Sequence, residues 1–363
     1  MSSVPLSPST LSNAVVRYNS IQMLRGLAAI VVTLYHISEN ISRTYQQTFL
    51  FDWFNIGYAG VDLFFVISGF IIAHTSAKYI NQPRELVPYL EKRFYRVYPV
   101  YWFFVVPLLL AMLAIQKLQP ALVADAYPFD WINLIKTLTL YPEHIALDAV
   151  TWTLSHEIYF YLLFALLLVS RHSAWILVAL TLGTIVNSFY IFSHGWLFGS
   201  GIVRFFLLSP INLEFLFGVS VYYLHKRFRL NQFWLVILIG LLAAFYLAPR
   251  TGGDMTRVWN LGIPSLLIVW GFVEADRSHA YRVPNLLIHL GDASYVIYLM
   301  HFPVIVFANK LLFKAGFSSV WALGMADMGL MLLIFWLSWK IHKNVEMPIV
   351  KWSRGSAKQS AKK

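Results

Sequence analysis

The chain contains no cysteine and little charge: Asp, Glu, Lys and Arg together make up 12% of its 363 residues. The missing cysteine excludes a disulfide framework, a thiolate metal site and a cysteine nucleophile, so a covalent intermediate would have to use Ser, His or a carboxylate. The shortage of charge excludes a soluble enzyme, because a water-facing surface usually needs about 25% charged residues. Apolar residues, by contrast, make up 58% of the chain and aromatic residues 17%, and mean hydropathy is +0.62. Such a chain does not stay disordered in water, and a bilayer offers two interfaces where Trp and Tyr are favoured. The composition therefore reads as an integral membrane protein, and the net charge of +11 reads as a matter of orientation, with no nucleic-acid partner expected.

Ten apolar segments are long enough to cross a hydrocarbon core at about 1.5 Å per helical residue. Their approximate spans are 21–38, 57–75, 95–116, 152–170, 174–193, 203–224, 233–248, 258–274, 290–312 and 321–342. The expected fold class is all-α, a polytopic membrane helix bundle of about ten transmembrane helices. No internal repeat is visible. Residues 1–20 carry a single charge, Arg17, and lack the basic start and apolar run of a signal peptide; they are expected to be a disordered cytoplasmic head. Residues 21–345 form the expected membrane domain, and 346–363 a basic cytoplasmic tail in reach of anionic lipid. The long connector 117–151 includes a candidate interfacial helix around 128–141. With the N-terminus inside, 19 Lys and Arg fall on the inner side and 8 on the outer, which puts both termini in the cytoplasm.

Ionisable residues inside apolar spans cost a few kcal/mol on insertion scales and usually face a cavity or partner. Here they are Arg25, His36, Asp62, Glu157, Glu214, Asp292, His301 and Asp327. Asp292 reads as a charge at a helix start, and Glu214 and Asp327 are equally well explained as interhelical hydrogen-bonders. Arg25 and His36 lie eleven residues apart on one helix, hence on one face and about 16 Å apart along it. Asp62 and Glu157 fall on the His36 side of the bilayer, and either could fix the imidazole for general-base work. Lys92, Arg93 and Arg96 cluster before the third span beside Tyr95 and Tyr98. That cluster suits a positive-inside anchor and a phosphate site equally well.

Five runs carry a wider resemblance: IQMLRGLAAIVVTLYH from Ile21 to His36, GVDLFFVISGF from Gly60 to Phe70, KRFYRVYP from Lys92 to Pro99, WTLSHE from Trp152 to Glu157 and GDASYVIYLMHFP from Gly291 to Pro303. In this order and spacing they resemble the acyltransferase-3 family, most closely its exopolysaccharide O-acetyltransferases, over about residues 20–345. The resemblance implies an enzyme that moves an acyl group, usually acetyl, from cytoplasmic acyl-CoA to a hydroxyl of an extracytoplasmic or lipid-linked carbohydrate. Acyl-CoA is then a donor substrate, no cofactor is permanently bound and no metal is expected. The resemblance implies His36 as the catalytic base and Lys92, Arg93 and Arg96 as donor-binding cations, with Arg25 below. Where relatives commonly show Arg-x-Arg, this chain has Arg93 and Arg96 separated by two residues, so which cations hold the phosphates stays open. Ser68, Trp152 and His301 are candidates for holding the oxyanion or the sugar. A C-terminal hydrolase-like domain of some relatives is not expected. The competing reading is a secondary transporter, which would also carry intramembrane acids and histidines.

Overall fold

The computed structural model describes residues 18–46, 50–118, 129–142, 147–194, 202–252, 254–317 and 319–360. Most of the expected head, residues 1–17, therefore lies outside the described residues. Among those described there is no strand, and the chain is an all-α membrane protein. Its helices are α1 (Asn19–Tyr45), α2 (Ala59–Ser76), α3 (Leu86–Leu118), α4 (Trp131–Thr139), α5 (Trp152–Val169), α6 (Ala174–His194), α7 (Asn212–Arg227), α8 (Phe233–Leu247), α9 (Asp254–Arg257), α10 (Ile263–Arg277), α11 (Asn285–Asp292), α12 (Ser294–Lys314), α13 (Val320–Ile341) and α14 (Met347–Ser360). Below, the end at which α1 starts is the lower end.

Against ten expected spans, eight helical segments among the described residues are long and apolar enough to cross a membrane. The expected span 174–193 corresponds to α6. The expected span 203–224 is broken: a π-helical turn, Val203–Leu207, is separated from the 16-residue α7 by the turn around Pro210. Pro264 does not end its helix: the π-helical turn Val258–Gly262 just before it leads directly into α10, and Met255–Arg277 runs as one helical segment. In the connector, Asp130 caps α4 by accepting from the Asn133 N–H at 2.8 Å.

Two differences move the candidate site. First, α3 begins at Leu86, so Lys92, Arg93 and Arg96 lie two turns inside a helix rather than in a loop before it. Second, α13 runs through a π-helical turn, His342–Glu346, into α14. Glu346, assigned to the tail by the sequence, is instead 1% exposed and packs inward. The apolar chain around it supplies too little water to solvate a free carboxylate, so it turns to a cation.

α1 is central to the packing, touching α2, α10, α11, α12 and α13. α2 and α7 meet backbone to backbone: a Cβ built on Gly69 would stand 2.0 Å from the Phe215 carbonyl oxygen, and one on Gly218 1.9 Å from that of Val66. Close approach at small residues is how helices associate where lipid tails supply no hydrophobic drive. Gly291 performs the same service between α11 and α1, with the Gln22 carbonyl where its side chain would be. Outward faces such as Leu238, Leu241, Leu242 and Phe245 of α8 are exposed, as a lipid-facing surface should be.

Candidate active site

Two polar groups are built along α1. The upper one joins His36 to His301 of α12, whose rings are 5.1 Å apart at 68°. Tyr35 and Phe302 each stand edge-on to His36 at 5.0 Å, and Tyr298 lies 5.7 Å from His301. His36 Nδ1 is 3.3 Å from the Val32 carbonyl oxygen, and His301 Nδ1 is 3.0 Å from that of Ile297. A carbonyl only accepts, so each Nδ1 carries the proton. In neutral imidazole the other nitrogen, Nε2, is then the base. His301 Nε2 is buried with no hydrogen-bond partner among the described residues, whereas His36 is half-buried and reachable.

The acids expected beside His36 are engaged elsewhere. Asp62, fully buried, receives a bidentate pair from Arg257: Nε to Oδ1 at 2.8 Å and Nη2 to Oδ2 at 2.9 Å. Glu157 accepts a hydrogen bond from the Tyr161 hydroxyl, on the side of α5 that faces the lower group. Backbone carbonyls of α1 and α12 therefore do the orienting assigned to a carboxylate by the sequence.

The lower group gathers cations. Arg96 of α3 pairs with Glu346, whose other oxygen is 2.7 Å from His342 Nδ1. The Arg96 guanidinium stands over the Tyr295 ring at 5.6 Å and leaves 31% of its side chain exposed. Arg93 Nη2 donates to Thr75 Oγ1 (3.0 Å) and Ser76 Oγ (3.2 Å), between the rings of Tyr89 and Tyr161. Arg25 lies within interaction range of Arg96, Glu157, Asp292 and Glu346, and its described hydrogen bond is a long one, 3.4 Å to Gln22 Oε1. Lys92, by contrast, is on the exposed side of α3, so the inward cations are Arg25, Arg93 and Arg96. The unbroken α1 joins this group to His36, at a separation of about 16 Å.

Ser68 is half-buried on α2 with no described hydrogen bond. Trp152 packs against Phe65 at 6.2 Å and His156 at 5.8 Å. No described contact joins either residue to the histidine pair. Among the described residues no group of His, Cys, Asp or Glu could hold a metal ion.

Several residues near these groups escape a reading by hydropathy. Glu346 hides in a basic tail, and Arg257 looks like a loop charge. His156, within a run already singled out, is buried with Nδ1 3.1 Å from Asn212 Oδ1. Asp148, in the connector before α5, is buried beside a cavity of about 180 Å³ lined by Tyr101, Phe104, Leu108, Leu299 and Pro303. Burial pushes its carboxyl up to about 8, against the smaller opposing effect of the Val150 N–H.

A bundle of membrane-crossing helices with a histidine pair above a half-buried arginine cluster defines a polytopic membrane protein. Residues 18–342 match the family model described as "Acyltransferase domain", and the chain belongs to that acyltransferase-3 family. It is 28% identical over 297 residues to the exopolysaccharide production protein ExoZ of Rhizobium meliloti (strain 1021), covering 72% of this chain and 80% of ExoZ. It is 26% identical over 323 residues to the O-acetyltransferase OatA of Staphylococcus aureus (strain NCTC 8325 / PS 47), covering 79% of this chain and half of OatA. The acyltransferase MdmB of Streptomyces mycarofaciens is 26% identical over 332 residues, covering 85% of this chain and 84% of MdmB. No solved structure matches.

Proposed function

We propose that this protein is a membrane O-acyltransferase that takes an acyl group, acetyl first among candidates, from cytoplasmic acyl-CoA and passes it to a hydroxyl of an extracytoplasmic or lipid-linked carbohydrate. Family membership supports acyl transfer, and the names of ExoZ and OatA support a polysaccharide hydroxyl as acceptor. The observation that carries the reading is the pairing of two imidazoles whose Nδ1–H groups are turned onto their own helices, on the helix whose lower half bears Arg25. In this reading the lower end faces the cytoplasm, the bacterial inner membrane is the location, and both termini are inside.

The donor's phosphates bind Arg25, Arg93 and Arg96; Arg93 is held by hydroxyls rather than by a carboxylate, and Glu157, Glu346 and Asp292 lie near the other two. Lys92, on the exposed side of α3, adds long-range attraction at most. The thioester arm rises along α1 to His36. Nε2 of His36 takes the acceptor hydroxyl's proton as the oxygen attacks the thioester carbon. The tetrahedral intermediate then expels the thiolate, which receives that proton from the imidazolium. His301, in edge-to-face ring contact, keeps the His36 ring in register. Asp62 and Glu157 act through position: Asp62 fixes Arg257, and Glu157 sets the Tyr161 hydroxyl beside the cations.

The test is transfer of labelled acetyl from acetyl-CoA to de-esterified surface polysaccharide by the protein in proteoliposomes. Label appearing in alkali-labile ester linkage supports the proposal. Proton-coupled uptake of a small solute with no ester formed would favour the transporter reading instead.

A further inference from the structure

At the level of His36 and above it, α1 carries three side chains, Tyr35, Glu39 and Arg43, that take no part in the proton transfer or in holding the donor. Tyr35 stands edge-on to His36 at 5.0 Å and to Tyr58 at 5.8 Å. The Tyr35 hydroxyl donates to Glu39 Oε1 at 3.0 Å, and Arg43 pairs with the same oxygen at 2.8 Å. Glu39 Oε2 has no described partner, and 24% of the side chain is exposed. Tyr58 is held at both ends: its hydroxyl donates to the Ala248 carbonyl at 3.0 Å, and its ring lies 5.4 Å under the Arg257 guanidinium that Asp62 clamps.

The arrangement is fixed before any ligand arrives. Two rings are locked by their own hydroxyls, and a carboxylate is aimed by two donors on one oxygen with the other oxygen left to accept. Arg43, 78% exposed, balances the carboxylate's charge, so the mouth does not select for cations. Aromatic faces beside an oriented, charge-balanced carboxylate suit a ligand with C–H faces and many hydroxyl donors, which is a carbohydrate. An interfacial aromatic belt would account for the tyrosines but not for a carboxylate aligned one turn above His36.

We propose that Tyr35, Glu39 and Tyr58 form the subsite that holds the acceptor sugar over His36, with Glu39 Oε2 accepting hydroxyls next to the one acylated. This rests on the reading of His36 as the base. Only the carbohydrate hydroxyl pattern is specified, so a free polysaccharide and a lipid-linked oligosaccharide are recognised alike.

The test uses the full-length protein in proteoliposomes, with surface polysaccharide stripped of esters by mild alkali as the probe. KM for polysaccharide and for acetyl-CoA is measured in wild type, Glu39→Gln and Tyr58→Leu, and polysaccharide binding without donor is followed by saturation-transfer NMR. Glu39→Gln should raise KM for polysaccharide about tenfold, the worth of one charge-assisted hydrogen bond, while KM for acetyl-CoA is unchanged. Should that variant fail to fold, Tyr35→Phe, which keeps the ring and frees Glu39, should still weaken polysaccharide binding. Unchanged polysaccharide KM and binding in folded variants overturns the subsite and leaves the acyltransferase reading standing. Binding lost in the variants while wild type makes no ester overturns the reading and leaves the sugar site standing.

Discussion

The rings of His36 and His301 meet 5.1 Å apart at 68°, each tied through Nδ1 to the carbonyl four residues earlier in its own helix. Backbone carbonyls thus set both tautomers and leave Nε2 of each ring as its basic nitrogen.

If His36 Nε2 is the general base, His36→Gln removes it while keeping a polar side chain of similar reach. The turnover number should fall by about 10²–10⁴-fold with the thermal midpoint little changed. His301→Gln should cost less, because it removes the neighbour of the base and not the base. Labelled acetyl transfer by the two purified variants checks this ordering, and equal losses would mean the histidines share the base role.

The lower group makes a prediction of opposite signs. Arg96→Gln removes an inward cation and should raise KM for acetyl-CoA about tenfold. Glu346→Gln removes the carboxylate that pairs with Arg96 and His342, leaving more positive charge for the donor, so KM should stay level or fall. The same variant should be less stable by about 1–3 kcal/mol, since it leaves a half-buried guanidinium without its counter-charge. Coenzyme A titrations and thermal unfolding of both variants measure the two effects separately.

How much of this was legible depended on how local the determinant was. Arg25 and His36 stand in one uninterrupted apolar run, so helical geometry alone put them on a shared face. The basic cluster was visible, but its depth was not. Charges at 92, 93 and 96 depress hydropathy, so the apolar span starts near residue 95 although the helix starts at Leu86. Once Lys92, Arg93 and Arg96 are on a helix, spacing alone does not separate them, because Lys92 and Arg96 are four residues apart and Arg93 and Arg96 three; the packing of α3 turns the two arginines inward and leaves Lys92 exposed. The partners of the acids were out of reach: Asp62 meets Arg257 across 195 residues of sequence and Arg96 meets Glu346 across 250. Hydropathy records which residues lipid rejects, and only the packing of α2, α3 and α14 decides which of them neutralise one another.

Asp148 supplies a pH dependence. Burial raises its folded carboxyl to about 8 from the ordinary 3.8, so over that interval the folded state holds a proton that the unfolded chain has released. Stability from this group is therefore greatest in acid, declines as pH rises from about 4 to about 8, and is level above. Asp148→Asn keeps an acceptor for the Val150 N–H and removes the titration. The variant should gain on wild type as the buffer is taken from pH 5 to pH 8.5, as read from thermal midpoints in detergent. Parallel midpoints across that range would contradict the burial argument.

Asp62 and Arg257 separate a structural from a catalytic carboxylate. Asp62 is fully buried and both of its oxygens are held by one guanidinium, so removing either partner strands a charge among apolar neighbours. Asp62→Leu or Arg257→Leu alone should cost about 3–5 kcal/mol. The double variant should cost clearly less than the sum, because replacing a buried pair by apolar groups removes the desolvation penalty along with the attraction. If Asp62 served as the acid behind His36, its loss would also lower the turnover number of the folded fraction by orders of magnitude, and Arg257→Leu would not reproduce that. With Asp62 engaged by Arg257, both single variants should instead give similar, modest losses per folded molecule. The comparison needs turnover at saturating acceptor, since both variants also loosen Tyr58, whose ring lies under the Arg257 guanidinium.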